Sequence, residues 1–320
     1  MSESSETRER VTKPQKKKLG RGEIVETSHA SYEVILLLGE GGFGAVYRVK
    51  NKSTGEQFAM KVEYSSIKKS KLKMEIAILK SLDFKCKHFT RIEGRGRGKN
   101  FQFVIMTLVG PSLEDMRRER PKKVFSLGTA FGAGIQCLEA IQELHQQKYL
   151  HRDIKPANFA RGLEIFRRIV YLLDFGIARK FTNEEGELKT PRKKVYFKGT
   201  VRFAAINCHK EIELGPKDDV ESWIYLLLDI LVPGGLPWRG LETKDEVLQS
   251  KKASRKPDVR NKAMFGNMKC DIILGKVIDY VDGLAYSDHV DYAYIVDLCK
   301  LACSACQGNT EDLYDWEKAD

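Results

Sequence analysis

Residues 151–159 read HRDIKPANF. A His, an Arg, an Asp, a Lys and an Asn around a proline make a poor helix and a poor strand. The stretch is a polar loop between the apolar-rich segments LEAIQELHQQKYL and FRRIVYLL. Asp153 can accept a proton from a hydroxyl, or orient it. Lys155 can neutralise a phosphate in transfer. Asn158 can ligate a metal through its carbonyl oxygen. About fifteen residues on, strand-like IVYLL runs into Asp174-Phe175-Gly176. A carboxylate just past a buried strand is well placed to hold Mg2+ against phosphates. For either piece alone, a bland polar loop is the competing explanation.

Gly39-Glu40-Gly41-Gly42-Phe43-Gly44-Ala45-Val46 contains GxGxxG. A dinucleotide-binding version should open a helix, with an acidic residue about 20 positions on. Here AVYRVK follows, which alternates like a strand. That pattern favours a glycine-rich hairpin lying over phosphates, because glycine lets backbone approach a ligand closely. A plain tight turn is the alternative. Lys61 sits in an apolar strand, AMK, where a lysine is costly unless paired. Glu75 is a candidate partner, and an edge-strand lysine facing water is the alternative. The five pieces occurring together, in this order, are far more specific than any one of them.

These groups need elements to hold them. SYEVILLLGEGG, AVYRVK and EQFAMKVEY predict three strands, with NKSTG as a turn. SKLKMEIAILKSL predicts a helix with Leu72, Ile76 and Leu79 on one face, and FQFVIMTLV at 101–109 predicts another strand. After Gly110-Pro111 the character turns helical, in SLEDMRRER, SLGTAFGAGIQCLEAIQELHQQ, ESWIYLLLDIL and DYAYIVDLCKLACSAC. The expected architecture is a small β-rich lobe, a short connector near 107–111 and a larger helical lobe. A ligand site between such lobes is expected. Residues 1–30 lack periodic apolar positions and are expected to form a flexible basic leader, with KPQKKKLGR at 13–21 its most compact charge run.

The chain has 320 residues, enough for one large domain or two lobes. MSESSETRERV is polar and gives no signal peptide. WIYLLLDILV at 223–232 is too short to span a bilayer and carries Asp229. Seven scattered cysteines suit reduced thiols in a reducing compartment. A soluble intracellular protein, cytoplasmic or nuclear, is expected, with no membrane partner. Cys299, Cys303 and Cys306 have a C-x3-C-x2-C spacing. They lie in a helix pattern, with Cys299 and Cys306 on the stripe of Ile295 and Ala302, so core packing is expected. The net charge is +11, which suits nucleic acid, an acidic membrane surface, or acidic or phosphorylated substrates. The basic residues form no single block, and no nucleic-acid-binding signature accompanies them.

GxGxxGxV, AMK, a helix Glu, HRDxxxxN and DFG together resemble the protein-kinase signature, from about residue 31 onward. The resemblance implies an α+β, bilobal fold, with an N-lobe over 31–109 built round one main helix and a mainly α-helical C-lobe over 110–320. Gly39, Glu40, Gly41, Gly44 and Val46 would cover ATP. Lys61 would contact its phosphates and pair with Glu75. Met106 would be the gatekeeper, with the backbone of Thr107 and Val109 on the adenine edge. Asp153 would be the catalytic base or orienting group, and Lys155 would stabilise the γ-phosphate. Asn158 and Asp174 would hold Mg2+. Asp219 would be buried and hold the catalytic-loop backbone, with His151 and Phe175 as packing residues. Lysine two positions after Asp153 is the serine/threonine pattern. An active serine/threonine kinase is the expected function. A pseudokinase scaffold that binds ATP or partners without efficient transfer is the alternative.

One departure narrows the resemblance. Where most protein kinases carry Ala-Pro-Glu, this chain has Ala205-Ile206-Asn207. The casein kinase 1 superfamily has Ser-Ile-Asn there, and LVGPSLED, KDDVESW and GGLPWRGL are similar to it. KMEIAILK, GTVRFAAIN, LPWRGLETK and YDWEK look closest to its tau-tubulin kinase branch. The usual Glu is lost, so other packing must replace its ion pair. The resemblance also implies a pocket for acidic or already phosphorylated (primed) substrates, with Arg202, Lys244 and the backbone near Gly234 as candidates. A solvated basic loop is the alternative. Cytoskeletal substrates and a regulatory site at Thr190 follow from resemblance or pattern alone.

Overall fold

The computed structural model describes residues 18–41, 44–65, 70–82 and 86–318. In chain order these form β1 (Ile24–Glu26), β2 (Ser31–Gly41), β3 (Gly44–Asn51), β4 (Gln57–Tyr64), α1 (Lys71–Ser81), β5 (Ile92–Arg97) and β6 (Phe101–Thr107). Then come α2 (Leu113–Arg118), α3 (Leu127–Gln146), β7 (Tyr149–Leu150), β8 (Phe159–Arg161), β9 (Val170–Leu172) and β10 (Arg179–Lys180). The rest is helical: α4 (Ile206–His209), α5 (Pro216–Leu231), α6 (Lys244–Ala253), α7 (Pro257–Ala263), α8 (Asp271–Gly283) and α9 (Tyr292–Ala305).

The first six strands form one sheet in the order β1-β2-β3-β4-β6-β5, with every pair antiparallel. Alternating burial along β3 puts Ala45, Tyr47 and Val49 inside, as period-two patterning requires. The two edges of the sheet approach each other. A Cβ added at Gly96 of β5 would lie 2.7 Å from the carbonyl oxygen of Glu26 in β1. The sheet therefore curls nearly to closure, which shields edge strands. This corrects the expected leader over 1–30: Ile24–Glu26 is a strand paired with Ser31–Glu33. Three residues of strand leave too short an alternation to register in sequence. The basic run at 13–21 lies mostly outside the described residues.

The expected lobes are present. The helix over SKLKMEIAILKSL buries Leu72, Glu75, Ile78 and Leu79, while Ile76 is only half-buried. α3 buries fourteen of its twenty residues against α5, α9 and β9. It is long and apolar enough to cross a membrane by length and composition, yet the greater part of its apolar stretch is buried in the fold. Trp223 of α5 is fully buried and donates its Nε1–H to the Gly134 carbonyl of α3 at 2.7 Å. Cys299 and Cys303 of α9 are buried in the same core, and Cys306 is half-buried.

Candidate active site

Two short strands position Asn158 and Asp174. β8 and β9 pair antiparallel with Phe159 opposite Leu172. The Leu173 N–H donates to the Asn158 carbonyl at 2.8 Å, so the open end of this hairpin presents Asn158 beside Asp174. Asn158 Nδ2 donates to the Asp153 carbonyl at 2.8 Å. That fixes the amide and leaves its oxygen as the free ligand atom. Asn158 and Asp174 thus offer two hard oxygen donors, which fit Mg2+. A Mg2+ held there would supply positive charge to offset that of a phosphate. Asp174 takes a left-handed φ of 65°, a conformation costly for a non-glycine residue and kept where the surroundings enforce it.

Lys61 of β4 joins the lobes. Its Nζ lies 2.6 Å from Glu75 Oε2 and 3.1 Å from Asp174 Oδ1. Burial works against its charge, but these two carboxylates outweigh burial and hold the ammonium above the ordinary lysine range. Asp174 moves the other way: burial would raise its pKa, yet Lys61 lowers it overall. Both groups are therefore ionised. Helix α1 is gripped by the same strand a second time. Glu63 Oε1 accepts the Lys71 and Leu72 N–H groups at 2.7 and 3.2 Å, placing a carboxylate on the helix N-terminus.

Asp153 sits in a tight polar set. Lys155 Nζ is 2.7 Å from Asp153 Oδ2 and 2.9 Å from Thr200 Oγ1. Thr200 in turn donates to Asp153 Oδ1 at 2.7 Å. Asp219 is buried beneath the loop and accepts the N–H groups of His151 at 2.7 Å and Arg152 at 2.9 Å, with His145 Nε2 at 2.9 Å. Burial would raise the Asp219 pKa, but these donors lower it. Arg152 has φ 68°; its backbone is held by Asp219 and its Nε donates to the Ile177 carbonyl at 2.8 Å. His151 and Phe175 are fully buried and pack edge to face at 5.5 Å.

A cleft of about 740 Å³ lies between the lobes, lined by Gly39, Glu40, Gly41, Gly44, Val46, Lys61, Glu75, Met106, Thr107, Val109, Asn158 and Asp174. A smaller one of about 290 Å³ adjoins it, lined by Asp153, Lys155, Thr200, Asp174 and Lys71. The two spaces thus meet at Asp174 and Lys71. The Thr107 N–H donates to the Arg91 carbonyl at 3.0 Å, so the backbone of Thr107 offers a ligand its carbonyl and not its N–H. The glycines divide by role. A Cβ at Gly39 or Gly41 would meet nothing within 4 Å, whereas one at Gly44 would lie 1.9 Å from the Val62 carbonyl oxygen. Gly44 is needed for strand packing, whereas Gly39 and Gly41 line the cleft with no protein atom that would exclude a side chain.

The substrate-recognition candidates are less concentrated. Arg202 is half-buried, and its carbonyl accepts Trp238 Nε1–H at 2.8 Å. Lys244 is exposed, with its Nζ 4.3 Å from the Phe197 ring. Gly234 has φ 89°. No direct contact joins the three among the described residues. Two of the basic residues in 179–202 are engaged inside the protein, because Arg192 and Arg179 share the buried Glu213 carboxylate. The ion pair lost with Ala205-Ile206-Asn207 is replaced by hydrogen bonds. Ile206 N–H donates to Glu221 Oε1 and Asn207 Nδ2 to Asp218 Oδ1, both at 3.0 Å.

Thr200 and Glu63 escape a reading of the sequence alone. Thr200 has a faint signal as the hydroxyl residue two before Arg202; Glu63 has one in falling two after Lys61, on the same face of β4.

Residues 32–271 match the protein kinase domain family. The chain is 35% identical over 288 residues to a probable serine/threonine-protein kinase of Dictyostelium discoideum, covering 89% of this chain and 56% of that protein. It is 31% identical over 302 residues to the serine/threonine-protein kinase spe-6 of Caenorhabditis elegans, covering 92% and 78%. A third relative, a Caenorhabditis elegans protein named for casein kinase I, is 31% identical over 286 residues, covering 88% and 82%. The chain thus spans little more than half the length of the Dictyostelium relative and most of the two nematode ones. With Lys61 paired to Glu75, Asp153 seated beside Lys155, and this domain over most of its length, the chain belongs to the protein kinase family, among its ATP-dependent serine/threonine kinases.

Proposed function

We propose that this kinase transfers the γ-phosphate of Mg-ATP to Ser or Thr hydroxyls of protein substrates, favouring acidic or already phosphorylated ones. One observation carries the preference. Arg202 lies two residues past Thr200, which bonds Asp153, and among the described residues no carboxylate pairs with Arg202 or Lys244. An unneutralised Arg next to the acceptor space suits bidentate contact with a phosphate.

Asp153 would receive or orient the acceptor hydroxyl. Lys155 would stabilise the transferring γ-phosphate, and Lys61 would hold the α and β phosphates. Such positioning with charge neutralisation is most of what phosphoryl transfer requires. Membership of the casein kinase 1 superfamily, and of its tau-tubulin kinase branch, is supported by the AIN, LVGPSLED and LPWRGL stretches and by the relative named for casein kinase I. An intracellular setting, cytoplasmic or nuclear, is supported by seven scattered cysteines that form no disulfide among the described residues.

The test is phosphate transfer from Mg-ATP to casein and to a primed peptide, with Asp174→Ala as the control. Transfer lost in Asp174→Ala is expected. Arg202→Ala should slow phosphorylation of the primed peptide more than that of its unprimed counterpart. Equal losses on both would remove the preference, and ATP binding without transfer would favour a scaffold.

A further inference from the structure

Lys251 of α6 has no exposed surface, and among the described residues no carboxylate lies within ion-pair distance of it. A buried amine is costly unless its N–H groups are all used. Here they are. Nζ lies 2.6 Å from the Ala204 carbonyl oxygen, 3.0 Å from that of Val201 and 3.1 Å from His209 Nε2. The rings of Tyr225 and Trp238 flank it at 4.8 and 5.3 Å. Burial draws the ammonium down to about 7. Either protonation state still serves, because a neutral amine keeps two N–H donors for the two carbonyls and a lone pair for His209.

The two carbonyls bracket Arg202 and Phe203. Of the two carbonyls between them, that of Arg202 is taken by Trp238 Nε1–H at 2.8 Å. Phe203 and Ala204 N–H groups both turn back to the Thr200 carbonyl at 2.9 Å. Thr200 then reaches Asp153. A continuous line of hydrogen bonds therefore runs from α6 through residues 200–204 to the catalytic carboxylate. Lys251 does not line the nucleotide cleft. Lys251 fastens this segment from beneath.

We propose that Lys251 is a positioning residue for the protein substrate: it pins the backbone of residues 201–204 as the ledge against which the acceptor peptide lies. The proposal rests on the kinase activity and deepens it. It touches peptide recognition and leaves nucleotide recognition alone.

The test compares wild type with Lys251→Met, which keeps length and apolar bulk but removes every donor. The wild type must first phosphorylate casein or a casein-derived peptide; if it does not, the kinase reading fails before the inference is reached. With transfer established, Lys251→Met should raise the peptide KM about tenfold, with the ATP KM held within about twofold and ATP hydrolysis in the absence of peptide unchanged. Hydrogen exchange should quicken at residues 201–204 and not in β2–β4. A folded variant with an unchanged peptide KM overturns the proposal, as does an equal loss for peptide and ATP. Should Lys251→Met fail to fold, Trp238→Phe removes the donor to Arg202 and keeps a ring. It should show the same split at about two- to fivefold. An unchanged peptide KM in folded Trp238→Phe would then count against the ledge.

Discussion

Thr200 donates its hydroxyl to Asp153 Oδ1 at 2.7 Å, across 47 positions of sequence. The same oxygen of Thr200 accepts from Lys155. Thr200 therefore fixes both the Asp153 carboxylate and the Lys155 ammonium. Replacing it by Val removes the hydroxyl at nearly constant shape. We expect kcat to fall about ten- to a hundredfold, with the ATP KM little changed. Thr200→Ser should retain most activity. Steady-state kinetics on one peptide decides this, and a fully active Thr200→Val would refute the role.

Lys61 serves activity and stability at once. Lys61→Met leaves the Glu75 carboxylate, 3% exposed, without its cation. The cost is about 2–3 kcal/mol, below the range for a fully buried pair because Lys61 is partly exposed. The double variant Lys61→Met, Glu75→Gln should recover most of that stability and none of the phosphate transfer. Denaturant melts and kinetics on the four proteins measure the coupling.

The glycines of the hairpin separate packing from ligand contact. Gly44→Ala drives a Cβ to 1.9 Å from the Val62 carbonyl oxygen. It should destabilise the N-lobe by about 2–4 kcal/mol. Gly39→Ala meets no atom within 4 Å and should leave the thermal midpoint almost unmoved while weakening ATP binding. Equal thermal shifts for the two would contradict this division.

Acid should loosen the junction of the lobes at a defined place. Glu139 of α3 holds His88 Nε2 and Lys87 Nζ, each at 3.1 Å. The hydrogen bond to His88, with that to Lys87, lowers its pKa from 4.5 to about 2. A carboxyl lowered on folding stabilises the native state above its unfolded value and loses that contribution as pH falls from 4.5 towards 2. Glu139 is 36% exposed, so after solvent screening the contribution is about 1–2 kcal/mol. Glu139→Gln should flatten the fall of the melting midpoint across that window. An identical pH profile in the variant would exclude Glu139 as the titrating group.

Much of the site is legible in order of residues. HRDIKPANF declares a loop because its polar groups and proline suit neither helix nor strand, and the flanking segments fold as α3 and as β8 with β9. Other elements are quieter for physical reasons. α7 has no apolar stripe; its buried residue is Arg260, whose Nη2 reaches Asp279 of α8 at 3.3 Å. α8 does bury Leu274, Val277, Ile278 and Val281 at helical spacing, a signal available to periodicity and easily passed over between polar segments. β5 alternates small Gly with Arg, so its half-buried face shows no hydrophobic mark.

The sequence by itself determined which polar and charged side chains stand at fixed spacing, and on which strand, helix or loop each stands. Those are local patterns, set by spacings of two, three and four residues. Only the tertiary structure decided what meets what. It put Thr200 on Asp153, closed β1 against β5, and buried Lys251 under residues 201–204. Each of those contacts joins positions tens of residues apart, where the chain leaves no periodic trace, and each is fixed by packing that must satisfy every buried polar group at once.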